Sequence, residues 1–243
     1  SPDIRGLTTI EVASISNWRK ADLRAGNATP PVVFEKDIAS LASMMNTGPS
    51  TSTDIVREYL GRIALYDRHG PTFRAILALN PRAIADARDR DDERAAGKVR
   101  GPFHGVPIVL KDNIDTLELP TTGGSLALLD HRPRLDSRVA AGMKQGGAVI
   151  LGKANLDEFP FGDFGISSVG GTVGNAFDPS LSTAGSSGGS ATAVSTSLAA
   201  LGFGTDTCNS LSNPSAFASL ATIRATRGLV SRAGVMPLNP YND

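Results

Sequence analysis

The sequence predicts an α/β fold in which a mostly parallel central sheet is covered by helices. Short apolar segments alternate along the chain with longer segments of helical periodicity. Two of the apolar segments end in polar or charged residues. The chain has 243 residues, 40% of them hydrophobic, which is enough to bury a substantial core.

The first predicted elements lie before residue 98. Residues 1–34 lack a clear period, so we interpret them as an extension packed on the body. One helix is expected from Asp37 to Met45, and residues 75–80 and 81–97 are expected to form a buried strand and a helix. Between them, a helix behind a Ser/Thr cluster places four side chains on one stripe: Ile55, Tyr59, Ile63 and Tyr66.

The next segments bring chemistry to a strand end. Residues 105–113 and 148–155 are predicted strands, and residues 136–146 are a predicted helix. Ligand sites of such sheets form at the carboxyl ends of the strands. Lys111 lies at one of these ends.

Composition excludes several classes of function. The 24 basic residues balance 24 acidic ones and form no basic block, so we expect no nucleic-acid partner. No apolar run approaches the ~20 residues of a membrane span. The single Cys208 excludes an internal disulfide, and the three histidines lack metal-ligand spacing. We therefore expect neither metal nor cofactor.

The compartment stays open. The lack of disulfides slightly favours the cytoplasm. The chain begins with Ser-Pro, so secretion after removal of a signal peptide is equally compatible with it.

A segment rich in Gly and Ser at 182–215 has three interpretations. A flexible linker disagrees with the apolar helical run Ala191–Leu201 and the following LGFGTD strand. A phosphate cradle disagrees with the absence of both common glycine-rich motifs. The third interpretation is an active site with a serine nucleophile and an oxyanion hole of backbone N–H groups.

A serine nucleophile needs a base. The sequence has no G-x-S-x-G elbow, and we interpret His104 as structural. Lys111 follows the apolar run 106–110 and would serve if burial kept it neutral. A solvated lysine beside Asp112 stays open as the alternative.

Four blocks resemble consecutive blocks of the amidase signature family: GPFHGVPIVLKDNIDT, TTGGSLALL, AGMKQGGAVILGKANLDEF and GSSGGSATAV…LGFGTDTCNSLSNPSAF. The resemblance covers about 35–238. It implies an α/β fold with a mixed, mostly parallel central sheet. It also implies an amidohydrolase that uses a Ser–cisSer–Lys triad.

The resemblance carries roles onto residues of this chain. Lys111 matches the lysine base, Ser186 the serine after a cis peptide bond, and Ser210 the serine that accepts the acyl group. It further implies an oxyanion hole at about Thr207 to Ser210, including Cys208 and Asn209. Ser187 and Asp206 would support this network, and Pro160 would contact substrate.

The chain departs from the family in the oxyanion loop. The usual D-T-G-G-S-[IV]-R has Cys208 and Asn209 in place of the glycines, and Ser212 in place of the arginine. If a glycine there needs positive φ, asparagine tolerates it better than cysteine. We interpret Cys208 as a packed small residue. An active enzyme of altered specificity and a catalytically silent binding protein both stay open.

The family's domains are about twice the matched length. We therefore interpret 35–243 as the N-terminal half of the domain and expect a C-terminal fragment of the same precursor to complete it. The predicted function is cleavage of a small, non-peptide amide, ester or carbamate through a serine acyl-enzyme. A glutaminase-type amidotransferase subunit is the alternative within enzymes, and a homo-oligomer stays open.

Overall fold

The computed structural model describes residues 32–242, so most of the predicted extension lies outside the described residues. In chain order the helices and strands are α1 (Ile38–Thr47), α2 (Ser52–Arg62) with a π-helical turn (Ile63–Asp67), β1 (Ile76–Leu79), α3 (Ala83–Ala95), β2 (Pro107–Lys111), a 3-10 turn (Leu126–Leu128), α4 (Arg138–Gln145), β3 (Val149–Ala154), β4 (Ile166–Ser167), β5 (Gly171–Thr172), α5 (Gly188–Ser195), β6 (Leu201–Phe203) and α6 (Ser212–Phe217).

The central sheet is mixed and mostly parallel, as predicted. Its order is β1-β3-β2-β6. Strand β2 runs parallel to both β3 and β6, and β1 is antiparallel to β3. In the register of β2 and β3, Lys111 lies opposite Ala154 and Leu110 lies opposite Lys153.

Polar caps set the starts of the first two helices. Asp37 accepts a hydrogen bond from the Ser40 N–H at 2.7 Å. Thr51 and Asp54 form a capping box, so the Ser/Thr cluster begins α2 as predicted. Ile55, Tyr59 and Ile63 are buried on the predicted stripe. Tyr66 leaves that stripe and is 38% exposed, because the π-helical turn changes the angular spacing of the side chains.

Helices cover both faces of the sheet. One face packs Val109 and Leu151 into the larger core, which includes Ala193 of α5. The other face packs Ile108 and Ile150 against Ala140 of α4. Helix α5 thus lies over the face that carries Val109 and, two residues later, Lys111.

The chain after Ser187 differs from the prediction. The helix expected over Ala191–Leu201 begins at Gly188 and ends at Ser195. Beyond its end, the Arg62 side chain donates to the carbonyls of Thr196 (2.8 Å) and Ser197 (2.6 Å). A contact with a residue over 130 positions earlier thus fixes the turn into β6, and a local pattern cannot reveal it. The hairpin β4–β5 and helix α6 were not predicted either.

No helix between residues 32 and 242 is long and apolar enough to cross a membrane.

Candidate active site

Lys111 is the last residue of β2, and its side chain is fully buried. Its Nζ donates to the Ser186 Oγ at 2.7 Å and to the Thr205 Oγ1 at 2.9 Å. Ser186 precedes α5, and Thr205 follows β6. The sheet and the helix over it thus bring together residues that are 75 and 94 positions away from the lysine.

Ser186 sits in a closely packed turn. The Gly185–Ser186 peptide bond is cis. The Ser186 carbonyl accepts a hydrogen bond from the Asp157 N–H at 3.1 Å. A Cβ added at Gly185 would lie 1.8 Å from the Asp157 Oδ2, so a side chain at that position would collide with Asp157.

Asp157 connects this turn to the loop that follows β3. Its carboxylate accepts backbone N–H groups from Phe164 (3.2 Å), Gly165 (2.9 Å) and Ile166 (3.0 Å). Pro160 is buried in the same loop. Its contact with substrate stays a prediction. Asp157 was not among the predicted site residues, although it lies in the quoted block that ends NLDEF.

Ser210 is buried next to Ser187. The Ser187 N–H donates to the Ser210 carbonyl at 2.9 Å. The Ser187 hydroxyl also lies between the carbonyl of Thr205 (3.2 Å) and its N–H (3.4 Å). Within residues 32–242, no hydrogen bond joins the hydroxyls of Ser186 and Ser210. Catalytic contacts of this kind often tighten only when substrate binds.

Asp206 shapes the loop that carries Ser210. Its carboxylate accepts the N–H groups of Asn209 (2.8 Å), Leu211 (3.3 Å) and Ser212 (3.1 Å) and the Ser212 hydroxyl (3.0 Å). Asn209 has a φ of 72°, in the left-handed region that asparagine tolerates. Cys208 is exposed, which disagrees with its interpretation as a packed residue. The loop is therefore closed around Asp206 without the family's glycines or arginine.

Asn113 joins the site from the segment after β2. Its Nδ2 donates to the Thr205 Oγ1 at 3.1 Å and to the Met236 carbonyl at 3.0 Å. Thr205 therefore contacts both Lys111 and Asn113 through one hydroxyl. Neither Thr205 nor Asn113 was among the predicted site residues. Asn113 belongs to the quoted K-D-N block, and that was the available signal.

A buried ion pair lies beside the site. Asp112 and Lys153 are both buried, and 2.9 Å separates the Asp112 Oδ1 from the Lys153 Nζ. The Asp112 Oδ2 accepts the N–H of Thr122 at 3.0 Å and also its hydroxyl. The alternative of a solvated lysine beside Asp112 is therefore wrong, because Lys111 is buried and Asp112 pairs with Lys153.

His104 binds backbone groups, as a structural histidine does. Its Nε2 lies 2.9 Å from the Arg90 carbonyl, and its Nδ1 accepts the Arg100 N–H at 3.3 Å. Burial lowers its pKa and favours the neutral ring. Among residues 32–242, no group of three or more His, Cys, Asp or Glu side chains could hold a metal ion.

Comparison with known proteins identifies the family. The model of the family described as Amidase matches residues 54–243. The chain belongs to the amidase family. An amidase relative, a subunit of the glutamyl-tRNA(Gln) amidotransferase of Mycobacteroides abscessus, is 38% identical over 205 residues, which are 84% of this chain and 41% of the relative.

Solved amidase structures share the fold. The native peptide amidase of Stenotrophomonas maltophilia has 43% identity and a TM-score of 0.84, covering 86% of this chain and 44% of that one. An amidase family protein of Bacillus anthracis has 30% identity and a TM-score of 0.80, covering 96% of this chain and 45% of that one. The chain thus spans less than half the length of these amidases.

Proposed function

We propose that this amidase chain carries the catalytic residues of a serine amidohydrolase, with Ser210 as nucleophile and Lys111 and Ser186 as its proton relay. The observation that carries the proposal is the 2.7 Å hydrogen bond between the Lys111 Nζ and the Ser186 Oγ. Both groups are fully buried. Family membership supports cleavage of a carboxylic amide C–N bond, and the acyl-enzyme route is our inference from the site.

Burial prepares Lys111 for the part of a base. Removing an amine from water favours its neutral form, which has a lone pair able to accept a proton. Its contact with Ser186 directs that capacity at a hydroxyl. The Ser186 hydroxyl can then pass its proton to Lys111 and take one from Ser210.

The covalent steps follow from this relay. As the Ser210 Oγ attacks the substrate carbonyl carbon, its proton passes to Ser186 and the Ser186 proton to Lys111. The protons then return through Ser186 to the leaving nitrogen, the C–N bond breaks, and an acyl-enzyme remains. Water, activated by the same relay, cleaves the acyl ester and regenerates Ser210.

The oxyanion would be held by backbone N–H groups of the loop 207–210. The Asn209 N–H already donates to Asp206, so we assign no oxyanion contact to it. The N–H groups of Cys208 and Ser210 form no hydrogen bond within the described part of the chain, so they are the donors we assign beside the predicted Thr207. Asn209 would instead contribute the left-handed turn that exposes them.

The substrate we propose is a small amide outside peptide chains, with an ester or carbamate as a related possibility. Pro160 would contact it, and so would residues outside this chain. The chain spans 44% of the peptide amidase it resembles, so we propose that a C-terminal segment of the same precursor supplies the remainder of the pocket.

A fluorophosphonate probe tests the proposal, because it reacts with an activated serine and needs no knowledge of the substrate. The purified protein should label, Ser210→Ala should not, and Lys111→Ala should label at least ~100-fold more slowly through loss of general-base catalysis. Ser180→Ala removes an exposed hydroxyl outside the site and should label like the wild type. A correctly folded wild type that does not label would support the silent binding protein instead.

A glutaminase-type amidotransferase subunit is the second candidate. The observation that favours it is the 38% identity to the Mycobacteroides abscessus amidotransferase. The loss of the loop glycines and arginine counts against it. Release of ammonia from glutamine, compared with release from other small amides by the same preparation, separates the two functions.

A further inference from the structure

Two lysines are buried at the ends of neighbouring strands of this amidase. Lys111 ends β2, and Lys153 is the next-to-last residue of β3. Lys153 lies opposite Leu110 in the register, so the two share a face of the sheet. Lys111 follows Leu110 and therefore points to the other face. Asp112 follows in turn and lies on the face of Lys153.

The carboxylate of Asp112 is fully engaged on that face. Its Oδ1 is 2.9 Å from the Lys153 Nζ, and its Oδ2 accepts two hydrogen bonds from Thr122. The Lys153 Nζ also donates to the Thr121 Oγ1 (2.9 Å) and to the Pro120 carbonyl (3.1 Å). All three ammonium protons of Lys153 thus have acceptors, as a buried charged lysine requires.

We propose that Lys153 is a positioning residue that holds the Asp112 carboxylate on the far face of the sheet and so keeps the Lys111 amine in its neutral, proton-accepting form. The inference rests on the proposed function of Lys111 as base. A carboxylate within about 4–6 Å of an amine favours the ammonium form. Without Lys153, the charge of Asp112 would lie uncompensated on the residue next to Lys111.

The other charged groups near Lys111 have other partners. Asp157 binds three backbone N–H groups of its own loop, and Asp206 binds those of the loop around Ser210. Neither β6 nor α5, which lies over Lys111, contains a charged residue. The Asp112–Lys153 pair is therefore the charge pair at the end of β2 that can alter the protonation of Lys111.

The pH dependence of fluorophosphonate labelling tests this role in the full protein. The acid limb of the labelling rate reports the loss of the proton from the base. Lys153→Met should move that limb to higher pH by roughly one unit, since it leaves a negative charge near Lys111. Asp112→Asn should move it to lower pH, since it leaves the positive charge of Lys153. The double variant Lys153→Met/Asp112→Asn should return close to the wild type.

Lys144→Met is the matched control, because Lys144 pairs with Glu118 and Asp136 outside the site. Its acid limb should not move. A pair with only a structural role would lower the stability of both single variants and leave their acid limbs in place, and that result would overturn the inference.

An unpaired buried carboxylate costs roughly 3–5 kcal/mol, so Lys153→Met could fail to fold. The comparison of Asp112→Asn with the double variant then decides, and coincident acid limbs would overturn the inference. A folded wild type that does not label at any pH would refute the proposed function itself. A labelling wild type with unmoved limbs in the variants would refute the role of Lys153 alone.

Discussion

Thr205 is the hydroxyl through which the site holds Lys111 from the side opposite Ser186. Its Oγ1 accepts from the Lys111 Nζ at 2.9 Å and from the Asn113 Nδ2 at 3.1 Å. Asn113 is itself anchored by the Met236 carbonyl. Two of the three directions around the Lys111 nitrogen are thereby defined by hydroxyls on different loops.

Thr205→Val should therefore slow fluorophosphonate labelling while preserving the shape of the side chain. The change leaves donors of Lys111 and Asn113 without their acceptor, which costs about 1–3 kcal/mol. We expect labelling to fall by roughly 10–100-fold, since about 1.4 kcal/mol corresponds to a factor of ten. Thr205→Ser keeps the hydroxyl and is the control. Equal rates for the two variants would show that the methyl group, and not the hydroxyl, matters.

At the same scale, Asn209 explains how the altered loop is built. Its φ of 72° is the conformation for which glycine is the usual residue, and asparagine is among the few others that adopt it readily. Ser212 donates to Asp206 where the family has an arginine. A hydroxyl and an asparagine therefore occupy the positions that the family fills with a guanidinium and a glycine.

At the scale of elements, the π-helical turn after α2 supplies the anchor for β1. The carboxylate of Asp67 accepts the N–H of Ala75 at 2.6 Å and that of Ile76 at 3.3 Å, where the strand begins. Burial raises the pKa of Asp67 to about 6, although Arg68 and these two N–H groups oppose the shift. The folded protein thus holds a proton on Asp67 more tightly than the unfolded chain does.

The unfolding free energy should fall as the pH rises through this window. The contribution of Asp67 is fully present below about 3.8, its unfolded value, and is lost as the pH passes about 6. Between pH 5 and 7 the loss amounts to about 1 kcal/mol. Asp67→Asn removes it, so the stability difference between variant and wild type should shift by that amount. Urea unfolding of the full protein at pH 5, 6 and 7 measures it.

Asp178→Asn is the control for this measurement. Hydrogen bonds from Ser180 lower the pKa of the exposed Asp178, so this carboxylate stays ionised from pH 5 to 7. The stability of its variant should differ from the wild type by the same amount at each pH. Parallel pH curves for Asp67→Asn and wild type would contradict the role of Asp67.

At the scale of the whole molecule, one edge of the sheet stays open. Strand β6 pairs with β2 on one side, and within residues 32–242 no strand pairs with its other side. Several large apolar side chains in the last part of the chain are exposed: Ile223, Leu229, Val230 and Tyr241. Open edges and exposed apolar side chains are features that proteins usually cover.

We therefore expect the purified native material to contain more than this 25.2 kDa chain. Intact-mass spectrometry under native and denaturing conditions should find a second polypeptide of the same precursor that co-purifies with it. A single longer polypeptide would support completion of the sheet without processing. A stable, monomeric species of 25.2 kDa would contradict both.

The sequence by itself determined the order of the main strands and helices and the three catalytic candidates. Apolar runs, capping residues and the blocks around Lys111, Ser186 and Ser210 are local signals, and local signals survive without a structure. The predicted strands at 75–80, 105–113 and 148–155 are confirmed as β1, β2 and β3.

Only the tertiary structure decided which groups surround Lys111. Its partners come from loops 75 and 94 positions away, and the pairing of Asp112 with Lys153 depends on the register between two strands. The same holds for the end of α5, which Arg62 terminates from another helix. Such contacts depend on how distant segments pack, and the periodicity of any one segment contains no record of them.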